Sequence, residues 1–169
     1  MFVPGKWMPA SKPAEVQALT WSLGGPPDAS LVGQLALSAF DPHFREAWTE
    51  GQIAGVMATP SAWLELGRLE GALAAFALCR QAQDEVELLL CATGPQWRRR
   101  GLGRQLVGQI AERARKRGAT RMFLEVRSSN LAAMELYLAC GFAAVGRRPD
   151  YYRTLSGESI DAITLARKL

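Results

Sequence analysis

The sequence predicts a mixed α/β domain, with helices flanking one central mixed sheet. Two observations carry that expectation. The apolar period switches along the chain between helix-type and strand-type spacing. Glycine and proline mark the switches, at Glu70-Gly71, Gly94-Pro95, Gly118 and Gly141. There are no internal repeats and no linker, so residues 15–169 read as one domain behind an irregular leader, 1–14, that carries Pro4, Pro9 and Pro13.

The elements follow in order. "VQALTWSL" (16–23) reads as a strand and "GGPPDAS" as a loop, whose Asp28 or Ser30 is placed to cap the next helix, 31–40. A second helix is expected over about 44–58, stopping before Pro60. "AWLELGRL" (62–69) and "ALAAFALCRQ" (72–81) form a hairpin around Glu70-Gly71. "EVELLLCAT" (85–93) has an apolar centre suited to a strand buried on both faces. In 102–118, Leu102, Leu106 and Ile110 recur every four residues, with Arg104, Glu112, Arg113, Arg115 and Lys116 on the wetter sides. "RMFLEV" (121–126) is a strand and "NLAAMELYLAC" (130–140) a helix. Two strands close the chain, near 142–148 and 159–167.

Composition narrows the function. A net charge of +4 is mildly basic and compatible with polyanionic ligands, without singling out nucleic acid. Cys79, Cys91 and Cys140 are odd in number, form no C-x-x-C pair and sit in apolar runs, which fits a reducing compartment. With His43 the only histidine, no metal site is expected. No apolar run has membrane-spanning length and the N-terminus lacks a continuous apolar core, so a cytoplasmic location is expected.

The chemistry concentrates between a strand and a helix. "RRRGLGR" (98–104) places four arginines and two glycines at a helix start. Free N–H groups and the positive end of the helix dipole make such a place an anion site, and glycine lets backbone approach the anion closely. A solvated turn and a nucleic-acid patch remain open from this stretch alone. Further on, strand alternation puts Phe123, Glu125 and Arg127 on one face. Glu125 is then a general base or an ion-paired structural group. Asn130 and Tyr137 share a helix face about 10 Å apart. Each has a plain alternative, a cap for Asn130 and core packing for Tyr137.

Taken in order, "RRRGLG", "LEVRSSNLAAMELYLACGF", "RRPDYY" and "DAITLARKL" resemble the GNAT acetyltransferases, and in particular their RimI branch of bacterial N-terminal protein acetyltransferases. The resemblance covers about 85–169. It implies the GNAT fold, acetyl-CoA as co-substrate and a protein N-terminus as acceptor, the N-terminal alanine of a small-subunit ribosomal protein. It implies Glu125 as general base and Tyr137 as general acid. It also implies that Cys91, Ala92 and Thr93 pair with the pantetheine arm, that Arg98, Arg99, Arg100, Gly101, Leu102, Gly103 and Arg104 cradle the pyrophosphate, and that Asn130 contacts coenzyme A. "RRPDYY" is one residue longer than the common form, which leaves open whether Tyr151 or Tyr152 faces the acceptor. Neither a metal nor a cysteine nucleophile is needed, and Trp97 either covers the cofactor or anchors the loop. A monomer or weak dimer is expected, without a membrane or nucleic-acid partner. Competing readings are acetylation of lysine or a small amine (polyamine, antibiotic), a non-catalytic acyl-CoA sensor, and a nucleic-acid module built on Arg98, Arg99, Arg100, Arg104 and the 113–117 run.

Overall fold

In the computed structural model, which describes residues 19–169, the strands form one seven-stranded sheet in the order β1-β2-β3-β4-β5-β7-β6. The elements are β1 Leu19–Gly24, α1 Ala29–Ala39, α2 Glu50–Met57, β2 Ala62–Leu69, β3 Ala72–Ala82, β4 Glu85–Thr93, α3 Leu102–Lys116, β5 Arg121–Arg127, α4 Leu131–Ala139, β6 Ala143–Arg153 and β7 Ser159–Lys168. Neighbouring strands pair antiparallel except β4 and β5, which are parallel and are joined through α3. The expected leader, 1–14, and the start of the expected first strand lie outside the described residues.

Helices cover both faces. Leu106, Ile110 and Ala114 of α3 pack with Tyr137 of α4 against Val86, Leu88, Met122 and Leu124. On the opposite face, Val32 and Ala36 of α1 and Ile53 of α2 pack against Leu64, Phe76, Leu78 and Leu90. β4 changes faces between Leu88 and Leu90 because it carries a bulge. Leu78 pairs with Leu90 but Cys79 with Leu88, so Leu89 is an extra residue. A bulge bends its strand and increases its twist. The β4–β5 ladder ends at the same level, at Leu88↔Leu124, although β4 continues to Thr93 and β5 to Arg127. The sheet therefore opens into a notch between its two central strands.

Several local expectations need correction. The helix expected over 44–58 is shorter. A 3-10 turn covers Pro42–Phe44, Arg45 takes a left-handed φ of 55°, and α2 starts only after Thr49. Thr49 and Gln52 form a reciprocal capping box, which fixes that start. Asp28 precedes α1 but does not cap it, since its carboxylate accepts instead from the Gly25 N–H at 2.9 Å, and Ser30 lies inside the helix. β6 runs on to Arg153, so Tyr151 and Tyr152 belong to a strand. Between Arg148↔Ala162 and Tyr152↔Ile160 its register slips by two residues. Asp161 spans this bulge, accepting from the Asp150 N–H at 2.9 Å and from Arg147. Those bonds hold its carboxyl below the usual carboxylate range. Pro149 is tolerated because β6 is an edge strand.

Candidate active site

The notch joins two clefts. The larger, about 630 Å3, lies between the C-terminal end of α1, the end of β4, the start of α3 and one side of α4. The smaller, about 220 Å3, opens towards the segment between α1 and α2 and reaches Glu125 and Tyr152. Both are lined by Phe40, Glu46, Cys91, Asn130, Ala133 and Tyr137. The two clefts therefore share a junction at these residues.

One end of the larger cleft is polar backbone. Gly101 precedes α3 at φ 77°, and the first intrahelical bond runs from the Gln105 N–H to the Gly101 carbonyl. That leaves the N–H groups of Leu102, Gly103 and Arg104 without partners within α3. A Cβ on Gly101 would meet nothing within 4 Å, so its requirement is conformational. A Cβ on Gly103 would lie 2.9 Å from Leu136, so this glycine brings α3 close to α4. Farther in, Leu106, Val107 and Leu136 make apolar walls, and the β5-facing edge of Cys91, Ala92 and Thr93 lies outside the β4–β5 ladder.

Arg98, Arg99 and Arg104 line this cleft and Arg100 does not, and three of the four make internal contacts. Arg98 donates to the Ala39 carbonyl, Arg100 stacks over Trp97 at 5.1 Å, and Arg104 reaches the Ala139 carbonyl at 3.5 Å. Arg99 holds a left-handed φ of 62°. Trp97 both lines the cleft and packs with Leu102. Within 113–117, Arg113 turns inward to Glu65, Lys116 pairs with Glu112, and Arg117 stacks on Trp63. The basic stripe that a nucleic-acid module would display is therefore largely engaged in internal contacts.

At the junction, the Tyr137 hydroxyl lies 3.2 Å from the Cys91 Sγ. Burial pushes the Tyr137 phenol well above its usual range, with Cys91 adding to the shift. Burial also raises the Cys91 thiol, partly offset by the hydrogen bond to Tyr137. Both groups stay protonated at neutral pH. Asn130 caps α4 by accepting from the Ala133 N–H at 3.2 Å, and the same residue lines both clefts.

Glu125 lies in the smaller cleft and accepts from Arg148 at 2.9 Å. Arg127 instead pairs with Glu46 at 3.0 Å, with side chains only 9% and 13% exposed, and its guanidinium stacks on Phe44. This pair fastens the α1–α2 segment to the end of β5 and sets the width of the junction. Sequence reasoning missed Glu46, which is 81 positions from its partner and falls in a stretch read as helix. Tyr152 lines the smaller cleft, and burial raises its phenol, with Glu46 and Glu125 adding to the shift. Tyr151 is outside this lining, 46% exposed, beneath the Arg148 guanidinium at 4.1 Å. His43 serves through its backbone carbonyl, which accepts from the Leu155 N–H. Among the described residues no cluster of His, Cys, Asp or Glu has metal-binding geometry, and no helix is long and apolar enough to cross a membrane.

Comparison with known proteins agrees with this architecture. The family model for the GNAT acetyltransferases matches residues 34–142. The chain belongs to the GNAT acetyltransferase family. It is 42% identical over 96 residues to the [ribosomal protein bS18]-alanine N-acetyltransferase of Escherichia coli strain K12, covering 57% of this chain and 64% of that protein. The aligned part is thus under two thirds of that relative's length. Among solved structures, the ribosomal-protein-S18-alanine N-acetyltransferase from Escherichia coli superposes with a TM-score of 0.82 at 31% identity, covering 89% of this chain and 94% of that one. A Salmonella typhimurium protein solved with its cofactor acetyl-CoA shares the fold at TM-score 0.74 and 18% identity, over 90% of this chain and 94% of that one.

Proposed function

We propose that this protein transfers an acetyl group from acetyl-CoA to a protein N-terminal amine, with the N-terminal alanine of a small-subunit ribosomal protein as acceptor. The observation that carries the reading is the meeting of two clefts at a protonated phenol, with a carboxylate on the acceptor side. The substrate named for the 31%-identical structural neighbour points the same way.

The larger cleft fits acetyl-CoA chemically, with backbone donors for a diphosphate at one end, apolar walls for a slender arm and a hydroxyl at the other end. When bound, acetyl-CoA supplies a thioester carbonyl open to amine attack. The N–H groups of Leu102, Gly103 and Arg104 hold the diphosphate. The free edge of Cys91, Ala92 and Thr93 pairs with the arm, and one of its N–H groups polarises the carbonyl. Asn130 contacts the arm. Glu125 takes the proton released by the amine as the C–N bond forms, and Tyr137 gives its hydroxyl proton to sulfur as the C–S bond breaks. Tyr152 shapes the acceptor side, which at about 220 Å3 suits a small first residue.

The test is an acetylation assay with three peptides: one with a free N-terminal alanine, the same peptide blocked at its N-terminus, and one whose only amine is an internal lysine. Only the first should react. Its kcat/KM at subsaturating peptide should rise with pH through about 7.7–8.0, where an α-amino group loses its proton. Transfer to lysine alone, or to none of the three, overturns the reading.

Gly101 tests the cradle separately. Forcing a β-branched residue to φ 77° costs about 1–2 kcal/mol. Gly101→Val should therefore weaken acetyl-CoA binding by about tenfold. Arg100→Ala, which removes a side chain stacked on Trp97, should weaken it only about threefold. Calorimetric titration measures both, and the reverse ranking would make this loop a charge patch.

A further inference from the structure

Of the residues shared by both clefts, Cys91 is the hydrogen-bond partner of the Tyr137 hydroxyl, at 3.2 Å. Its place follows from the β4 bulge. Leu88 and Cys91 pack on the α3–α4 face, whereas Leu89, Leu90 and Ala92 pack on the α1–α2 face. Unbroken alternation would put Cys91 and Leu88 on opposite faces. The extra residue at Leu89 resets the phase and turns the thiol towards Tyr137. A phenol has one proton and two lone pairs. Among the described residues, the Cys91 Sγ is the one hydrogen-bond partner of this hydroxyl. An O–H aimed at Cys91 leaves no proton facing the cofactor cleft. A thiol that donates instead leaves the O–H free for it.

We propose that Cys91 is a positioning residue for acetyl transfer, whose S–H donates to the Tyr137 oxygen so that the single O–H of Tyr137 is aimed at the departing sulfur. The inference rests on the acetyl-transfer reading above and adds a group that acts through the acid. As the C–S bond breaks, the Tyr137 proton passes to sulfur and negative charge gathers on the phenol oxygen. Cys91 keeps its own proton and holds that oxygen through the S–H bond. Water reprotonates the phenol after the thiol leaves and receives the proton that Glu125 took from the amine, so the cycle closes. The help matters because the hydroxyl is buried, and burial makes a phenol a reluctant acid. An ionised thiol would act the other way, repelling charge on the oxygen. Burial keeps Cys91 protonated at neutral pH, which also denies it the role of nucleophile.

Raman spectroscopy of the free protein tests the direction of the bond without turnover. The S–H stretching band of Cys91 is the one lost in Cys91→Ala. It should move to higher wavenumber in Tyr137→Phe, where the thiol loses its acceptor. A band that stays in place makes the thiol the acceptor and overturns the proposal. Single-turnover acetylation of an alanine peptide at saturating acetyl-CoA then tests the consequence. Cys91→Ala and Cys91→Val both remove the donor, and each should slow transfer about five- to tenfold, the loss expected for a weak donor to a developing charge. Cys91→Ser keeps a donor on the same carbon and should stay within about twofold of wild type. A packing role would rank Val ahead of Ser, because a buried hydroxyl fills an apolar wall poorly. In the Tyr137→Phe background Cys91→Ala should add no further loss, since the donor then has no oxygen to serve. Wild-type transfer in Cys91→Ala, Ser no faster than Val, or a full added loss in the double variant overturns the proposal. A wild type that transfers nothing refutes the acetyl-transfer reading and the positioning role together, an outcome distinct from an active enzyme indifferent to Cys91.

Discussion

Tyr137→Phe is expected to lower kcat by about 10²–10⁴-fold, the range spanned by loss of a positioned general acid. Acetyl-CoA affinity should stay near wild type, because the substitution removes one oxygen and keeps the ring. That ring is 8% exposed and packs edge-on against Phe142 at 5.8 Å. The lost hydroxyl bonds a thiol, a weak partner, so the stability cost should be below about 1 kcal/mol. A large fall in turnover with little change in melting temperature is therefore the signature of proton donation. Because burial lifts this phenol well above its ordinary range, it remains protonated through the alkaline rise expected for the acceptor amine. Wild-type activity should show no alkaline decline from Tyr137 below about pH 10. Glu125→Gln should also lower turnover, at high pH as well as low, because the proton it takes leaves nitrogen only as the C–N bond forms and a neutral acceptor still carries it. Wild-type turnover in both variants removes the proposed roles.

Parts of this site were legible in the sequence because they depend on local patterning. α3, α4 and the strands from β2 to β5 follow from apolar period and from glycine stops, and the residues singled out by the motif order, the 98–104 loop, Glu125, Asn130 and Tyr137, line two adjoining clefts. What the sequence concealed depends on pairing across distance. Glu46 and Arg127, Glu125 and Arg148, and Glu65 and Arg113 are ion pairs between separate elements, and none leaves a periodic trace. The expected 44–58 helix failed for a local reason, since the Thr49 capping box starts α2 later. β6 looked short because Pro149 and the bulge interrupt its alternation, and only pairing with β7 and the Asp161 carboxylate carries the strand through. Leu89 reads as one more apolar residue in "ELLLCAT", yet as the bulge it coincides with the opening of the notch on which the site is built.

Breaking the ion pair beneath α3 from one side should destabilise the fold strongly. Glu65 has no exposed surface and lies on β2, with its carboxylate bound by the Arg113 guanidinium, including a 3.0 Å bond from Nη2, and by the Gln109 amide at 3.3 Å. Arg113 is 25% exposed, so the two partners stand in unequal surroundings. Removing Arg113 strands a buried carboxylate with one neutral donor. Removing the carboxylate leaves a guanidinium that can still turn to water. Arg113→Ala should accordingly destabilise by about 3–5 kcal/mol, the usual consequence of breaking a buried pair from one side. Glu65→Gln keeps volume and hydrogen-bonding capacity and should cost clearly less. Because Arg113 and Gln109 lie on the helix whose first turn forms the proposed cradle, weakening them should also loosen acetyl-CoA binding, although neither lines the cleft. Urea denaturation of both single variants and the double variant measures the coupling. If Glu65→Gln costs as much as Arg113→Ala, the penalty comes from loss of the ion pair itself and not from an uncompensated buried charge.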